Sequence, residues 1–474
     1  MWQAIFHSKH SHSLVYGVLR MKKSLLAVAA VTAFAGAAQA QSSVTVYGII
    51  DVGVMGATNS PNLNSSPWAE SGSPYLSANQ KTTSGTGQAF GMMTGGESMN
   101  RLGFKGSEDL GGGTKAIFDM EMGLNGNGSI ANGNAGVSSG NKANEQAGDT
   151  ALQGQLFGRA LYAGLSSDKY GQLTAGRQQN LMLDNIGAYD PVNAQLFSPI
   201  NFSGTYGGGG YTDNSRVTGL KYVDKIAGFN VNAIYAPGGI SGQSTAGTSS
   251  GFQVGYEANK FGVQAIASHT TDAQALSGIS AGTSLATATA NTVSYAAVNG
   301  MTVAPSNAVQ MTVSNTTAYM LTAKYKPLEA LTLKAGYERE NIGTPSNFAL
   351  FANTPTTASG YTVASVAANA YNYSQNVAWG GANYQFTPTI KGSLGYYYVS
   401  TLSYAGKIGG GTSQYFSALA DYSLSKRTNL YAGVMANNNS ASNGYVAAAS
   451  NTNTAGTNLI TTSVTYGLGM RHTF

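Results

Sequence analysis

The chain has 474 residues, of which only 9% are charged, and a mean hydropathy of −0.10. So low a charge content excludes an ordinary water-soluble domain, and so neutral a hydropathy excludes a bundle of membrane helices. Cysteine is absent, which removes disulfide frameworks and thiolate metal sites.

In chain order, residues 1–20 form an upstream extension. Its "HSKHSH" (His7, His10, His12) reads as a tail or an upstream start rather than a metal tract. Residues 21–40, "MKKSLLAVAAVTAFAGAAQA", have the layout of a secretory signal: Lys22 and Lys23, an apolar run from Leu25 to Ala38, and an Ala38-Gln39-Ala40 site with cleavage expected before Gln41. The run is too short to cross about 30 Å of hydrocarbon as an anchor. Lys9, Arg20, Lys22 and Lys23 account for four of the formal +5, so the mature chain carries +1 and no broad electrostatic footprint for nucleic acid.

From 41 to 474 the pattern is strand-like throughout, with no amphipathic helix of ordinary length. Alternating stretches of about ten residues, the length of a tilted membrane strand, recur as "SVTVYGIIDVGV", "SMNRLGFKGS", "TKAIFDMEMG", "LTLKAGYERE", "YFSALADYSL" and "NLYAGVMANN". Short links with turn chemistry ("EDLGGG", "SDKYG", "KIAG", "SKR") take turns with long Gly/Ser/Thr/Asn-rich ones at 57–97, 125–154, 179–213, 237–250, 271–315, 341–374, 401–412 and 438–460. Regular alternation points every long link to one side and predicts an all-β, closed antiparallel transmembrane barrel of about sixteen strands. The last stretch, "GLGMRHTF", places Phe474, His472, Met470, Leu468 and Tyr466 on one face and runs to the terminus. Lipid leaves no backbone group unpaired, so this strand is expected to close on "SVTVYGIIDVGV", with Phe474 at the membrane interface.

"SSVTVYGIIDVGV", "NRLGFKGSEDLGGGTKAIFDMEMGLN", "LFGRALYAGLSSDKYGQLTAGRQ", "DYSLSKRTNLYAGV" and "YGLGMRHTF" together resemble the β-proteobacterial branch of the trimeric general porins of Gram-negative bacteria. With the strand pattern, the resemblance spans nearly all of residues 42–474. It implies an outer-membrane homotrimer of water-filled channels for passive diffusion of small hydrophilic solutes and ions, without catalysis or cofactor. It also implies contact with lipid and lipopolysaccharide, and Phe474 as part of the signal read by the barrel-assembly machinery. A substrate-specific channel, for carbohydrate or organic anions, is the alternative. In such channels the third long loop folds inward, and its acidic groups face arginines on the wall. Arg101 and Arg159 match the wall arginines. Arg216 in "NSRVTGLKY" matches another, although Thr-Gly-Leu follows the arginine where the family has Asn-Ser-Val. Asp184 and Asp190 ("LDNIGAYDP") are the loop acids, and Asp190 before Pro191 also reads as a turn initiator.

Alternation alone puts Arg101 and Lys105 opposite Leu102 and Phe104, toward a lumen. Arg177 joins the basic candidates but shares parity with Leu173 and Ala175, which leaves its position open. A structural salt bridge is the competing role for each arginine. Other signals are weaker. "EDLGGG" lacks the lysine and helix of a phosphate loop, and "TYGGGGY" reads as a flexible fold-back. His269 and His472, the only histidines after processing, offer no catalytic triad. No fixed-period repeat supports a secreted adhesin. Tyr222, Tyr256, Tyr325, Tyr337, Tyr384, Tyr396 and Tyr422 suit interface girdles, with sugar stacking as the alternative.

Overall fold

A computed structural model describes residues 43–60, 87–124, 156–193, 197–198, 216–239, 244–278, 308–347, 357–358, 361–368, 373–401, 411–439 and 462–474. The predicted extension, the signal and "TYGGGGY" lie outside them. The strands are β1 (Ser43–Ser60), β2 (Gly87–Thr94), β3 (Arg101–Gly111), β4 (Thr114–Gly123), β5 (Ala160–Ser167), β6 (Gly171–Gln179), β7 (Arg216–Ile226), β8 (Phe229–Ala236), β9 (Ser249–Glu257) and β10 (Phe261–Gly278). They continue as β11 (Ala308–Leu328), β12 (Leu331–Gly343), β13 (Thr357–Ala358), β14 (Tyr361–Ala368), β15 (Tyr373–Gln385), β16 (Ile390–Thr401), β17 (Gly411–Ser423), β18 (Thr428–Asn439) and β19 (Thr462–Thr473). One helix, α1 (Leu181–Tyr189), lies between β6 and β7.

All nineteen strands belong to one sheet, and β19 returns to β1. Sixteen spans close the barrel. β2 and β3 both run antiparallel to β1, on its upper and lower halves, and so form a single span kinked at 95–100. β13 and β14 sit outside the sixteen, and β14 runs parallel to the far end of β11. Sequence patterning places 57–97, 271–315 and 341–374 wholly in links, but strands reach into each of them. Their Ser/Thr/Gly/Ala content blurs the apolar alternation that marks the other strands in the sequence.

Parity sorts the side chains as lipid requires. Tyr325, Tyr337, Tyr384, Tyr396 and Tyr422 are exposed on the outward face, with Leu394, Phe416 and Leu468. These girdle candidates therefore face away from the lumen, which removes them from any sugar-stacking track. The interior faces of the same strands carry Lys324, Lys334, Lys391, Ser393 and Asp421.

The seam is closed by the last residue. The Gly48 and Phe474 backbones exchange two hydrogen bonds, each 3.1 Å. The Phe474 ring lies over Gly48, where an added Cβ would stand 2.3 Å from the ring. Deleting Phe474 removes both bonds and leaves the Gly48 N–H and C=O unpaired on that side of β1, a costly state in lipid. Its deletion is expected to reduce the yield of folded, heat-modifiable protein in membranes, read by gel mobility without boiling, and an unchanged yield would contradict this role.

Candidate pore constriction

The hydrophobic core lies inside the barrel, under the segment that follows β6. Asn180 caps α1 by accepting from the Leu183 N–H at 2.8 Å, and the Asp190 N–H ends the helix on Ile186 O at 2.8 Å. The sequence reading contains no helix here, because nine residues give too short a period. What holds α1 is tertiary packing. Leu181, Met182, Ile186, Val192 and Phe197 are buried against Ile234, Ile266, Met320, Trp379, Tyr397, Tyr415 and Leu419, which project inward from β8, β10, β11, β15, β16 and β17.

Polar bonds follow the same path. Asn185 donates to Thr322 Oγ1 at 2.9 Å, Trp379 Nε1 to Tyr189 O at 3.2 Å, Asn383 to Pro191 O at 2.7 Å and Ser417 Oγ to Phe197 O at 2.5 Å. Gln264 donates to Tyr189 Oη at 3.2 Å, and burial pushes the Tyr189 phenol above its ordinary value, so it stays neutral. The described part of the third long link, residues 180–193 and 197–198, is thus strapped across the β8–β17 side of the lumen.

That packing leaves a gap on the opposite side. A cavity of about 410 Å³ is lined by Arg101, Asp119, Glu121, Arg159, Tyr162, Asp184 and Lys221, among others. Arg159 Nε bonds to Glu121 Oε1 at 2.5 Å, and Arg101 Nη1 lies 3.7 Å from Glu121 Oε2. Arg101 Nε donates to Met99 O at 3.1 Å. One carboxylate therefore holds two guanidinium groups side by side. Tyr47 lies over Gly103, where a Cβ would stand 2.2 Å from its ring, and donates to Asp119 Oδ1 at 2.8 Å and Glu121 Oε2 at 3.2 Å. The glycine of "NRLGFKG" makes room for that tyrosine. Lys105 lies on the same face, opposite Asp119 in register, with its ammonium 5.1 Å from the Tyr47 ring centroid.

Arg159 precedes β5, so strand alternation does not place it; its bond to Glu121 does. Arg216 opens β7 opposite Gln179 and is buried; it shares the parity of outward Leu220 and does not line the gap itself, so it can contribute there only as a nearby charge beside Arg101 and Glu121. Asp184, on the open edge of α1, is half-exposed and pairs with Lys221 of β7 rather than with an arginine. Lys221 also donates to Gln179 O at 3.0 Å.

Two expected residues fall elsewhere. Arg177 keeps the outward parity of Leu173, and its Nε bonds back to Gly158 O behind the wall, so it is not among the residues lining the gap. Asp190 is fully buried on the far side. It accepts from Val192 N at 2.7 Å, Ser198 Oγ at 2.8 Å and Tyr397 Oη at 3.1 Å, while Lys334 Nζ donates to its carbonyl at 2.9 Å. The turn reading of Asp-Pro describes it better than the reading as a lumenal acid.

Glu121, Asp119, Lys221 and Tyr47 are absent from the sequence-derived site. Their signal was present. In "TKAIFDMEMG" and "TGLKYV" the charged positions alternate with Phe118, Met120, Leu220 and Tyr222, by the same rule that places Arg101.

The chain aligns over 174 residues at 38% identity with an outer membrane porin protein of Bordetella pertussis, covering 37% of this chain and 38% of that one. It aligns over 220 residues at 33% identity with outer membrane porin protein 32 of Delftia acidovorans, covering 46% and 50%. At most half the length of these relatives is therefore spanned. Among solved structures, the anion-selective porin from Comamonas acidovorans superposes with a TM-score of 0.57 at 18% identity, over 92% of this chain and all of that one. A trimer form of OmpT of Vibrio cholerae gives 0.51 at 13%, over 91% and 99%. These likenesses show the shared barrel fold. The profile of the Gram-negative porin family matches residues 27–342 and 292–442, most of the chain, and the chain belongs to that family.

Proposed function

We propose that the protein forms a water-filled channel through the outer membrane for passive diffusion of small hydrophilic solutes and ions. Its narrowest point would lie between the open edge of α1 and the β3–β7 wall. The observation that carries this reading is the contrast between the two sides of one lumen. The α1 segment is buried against inward side chains of β8–β17, while the opposite gap is lined mainly by charged and polar side chains.

Arg101, Arg159 and Lys221 face Asp119, Glu121 and Asp184 there, with the charges of Arg216 and Lys105 alongside. Opposed fixed charges in a narrow aqueous gap create a transverse field that bulk screening does not erase. Hydrated polar solutes reorient in it, whereas bulky apolar ones must disrupt ordered water. The local excess of cations supports a modest preference for anions, in keeping with the anion-selective porin that shares the fold.

By the family's pattern, the working form is a homotrimer secreted by way of the 21–40 signal and cleaved before Gln41. Liposome swelling over a series of neutral sugars tests the reading. General diffusion predicts rates that fall smoothly with solute size and rise linearly with concentration. Saturation by one solute would favour the substrate-specific alternative.

A further inference from the structure

Near the long-link end of β10, β11, β12 and β15 the outward face turns polar. The register aligns His269, Thr317, Asn341 and Ser374 in one outward row, with Ala267, Tyr319, Arg339 and Asn376 in the row below. Arg339 Nε donates to Asn341 Oδ1 at 3.2 Å, Nη1 to Asn376 Oδ1 at 3.5 Å and Nη2 to Ser374 Oγ at 3.3 Å. These partners are themselves braced, Ser374 Oγ donating to Asn341 Oδ1 at 2.7 Å and Tyr337 Oη to Asn376 Oδ1 at 2.7 Å.

All three partners are neutral. Among the described residues no carboxylate lies within ion-pair reach of Arg339. A guanidinium has five N–H groups, and these bonds use one each on its three nitrogens, so donors remain on both Nη atoms. Level with Arg339 stands outward Tyr319, and in the next row down Leu321 and Tyr337, all about half exposed. Tyrosines over apolar residues mark the headgroup level, the depth at which an arginine on a lipid-facing strand can keep its charge.

We propose that Arg339, with Ser374 and Asn376, forms a binding site for the phosphate of an outer-leaflet lipid headgroup. The braced guanidinium supplies a fork fixed in plane, which suits a tetrahedral phosphate and its charge. The Asn376 amide adds donors beside it, Ser374 holds the fork in place by accepting from Nη2, and Tyr319 and Leu321 lie where the lipid's apolar part continues. This site rests on the reading of the barrel as an outer-membrane channel.

The test titrates diphosphoryl lipid A, its dephosphorylated form and inorganic phosphate separately into the detergent-solubilised assembly, with native mass spectrometry as the readout. The wild type should retain diphosphoryl lipid A in preference to the dephosphorylated form. Arg339→Ala should bind it about tenfold more weakly, the loss of a charge-assisted partner. Arg339→Lys should fall between them, and bilayer conductance should be the same in all three. If Arg339→Ala fails to assemble, Arg339→Gln, which keeps a polar side chain without the charge, carries the same comparison. Equal lipid binding by wild type and variant, or inorganic phosphate binding as tightly as the lipid, would overturn the proposal. A protein that binds the lipid through Arg339 but conducts no current would instead reject the channel reading and leave this site standing.

Discussion

Asp190→Ala is expected to turn a steady single-channel current into one broken by frequent large transitions. The buried carboxylate accepts three hydrogen bonds from Val192, Ser198 and Tyr397, and these tie the segment after α1 to β16. Hydrogen bonds to a charged group contribute about 1.5–3 kcal/mol each, so their joint loss exceeds thermal energy several times over. It does not free the whole loop. Leu181, Met182 and Ile186 remain buried, at about 1.5–3 kcal/mol for each fully buried side chain, and they hold α1 in place. The effect should therefore be fluctuation of Asp190–Asn193 and of residues 197–198 within the lumen. Asp190→Asn keeps an acceptor for Val192 and Tyr397 and should lie between the two. A quiet current from the Ala variant would show that the apolar contacts alone fix the loop.

Replacing both Arg101 and Arg159 with Ala should move the zero-current potential in a salt gradient strongly toward cation preference. Two effects add. Two fixed cations leave the gap, and Glu121, which pairs with both, becomes an uncompensated anion. At about 4 Å a unit charge pair is worth about 1 kcal/mol even at the dielectric of water, enough to change relative permeability several-fold. The shift should shrink as the Debye length falls from about 10 Å at 0.1 M salt to about 3 Å at 1 M. Asp184→Ala should move the potential the other way, and by less, because Asp184 is half-exposed and its partner Lys221 also bonds to Gln179 O. An unchanged potential in the arginine double variant at low salt would place both groups off the ion path.

The parts of this architecture that obey a period of two are legible in the sequence. The alternation of Arg101 and Lys105 with Leu102 and Phe104, and the run to Phe474, lead directly to a closed barrel with a charged inside. Applied to "TKAIFDMEMG", the same rule would also have found Asp119 and Glu121. What the period cannot reach lies at strand ends and in the inward loop. Arg159 and Arg216 stand where pairing begins, and partners rather than parity decide their positions. Asp190 finds its partner Tyr397 207 residues along the chain, a contact that only barrel closure and loop entry create. The helix α1 owes its existence to inward residues from six separate strands. No local window contains that information.

A lumen that is aqueous and narrowest at the charged wall is tested most directly at neighbouring residues of β5. Tyr162 lines the gap, while Leu161, adjacent in sequence, is exposed on the outward face. The chain has no cysteine, so a single introduced thiol is unique. In a planar bilayer, Tyr162→Cys should react with a bulky, membrane-impermeant thiol reagent and lose a large part of its single-channel current. Leu161→Cys should keep its full current. An unreactive Tyr162→Cys, or block of the Leu161→Cys channel, would contradict the account.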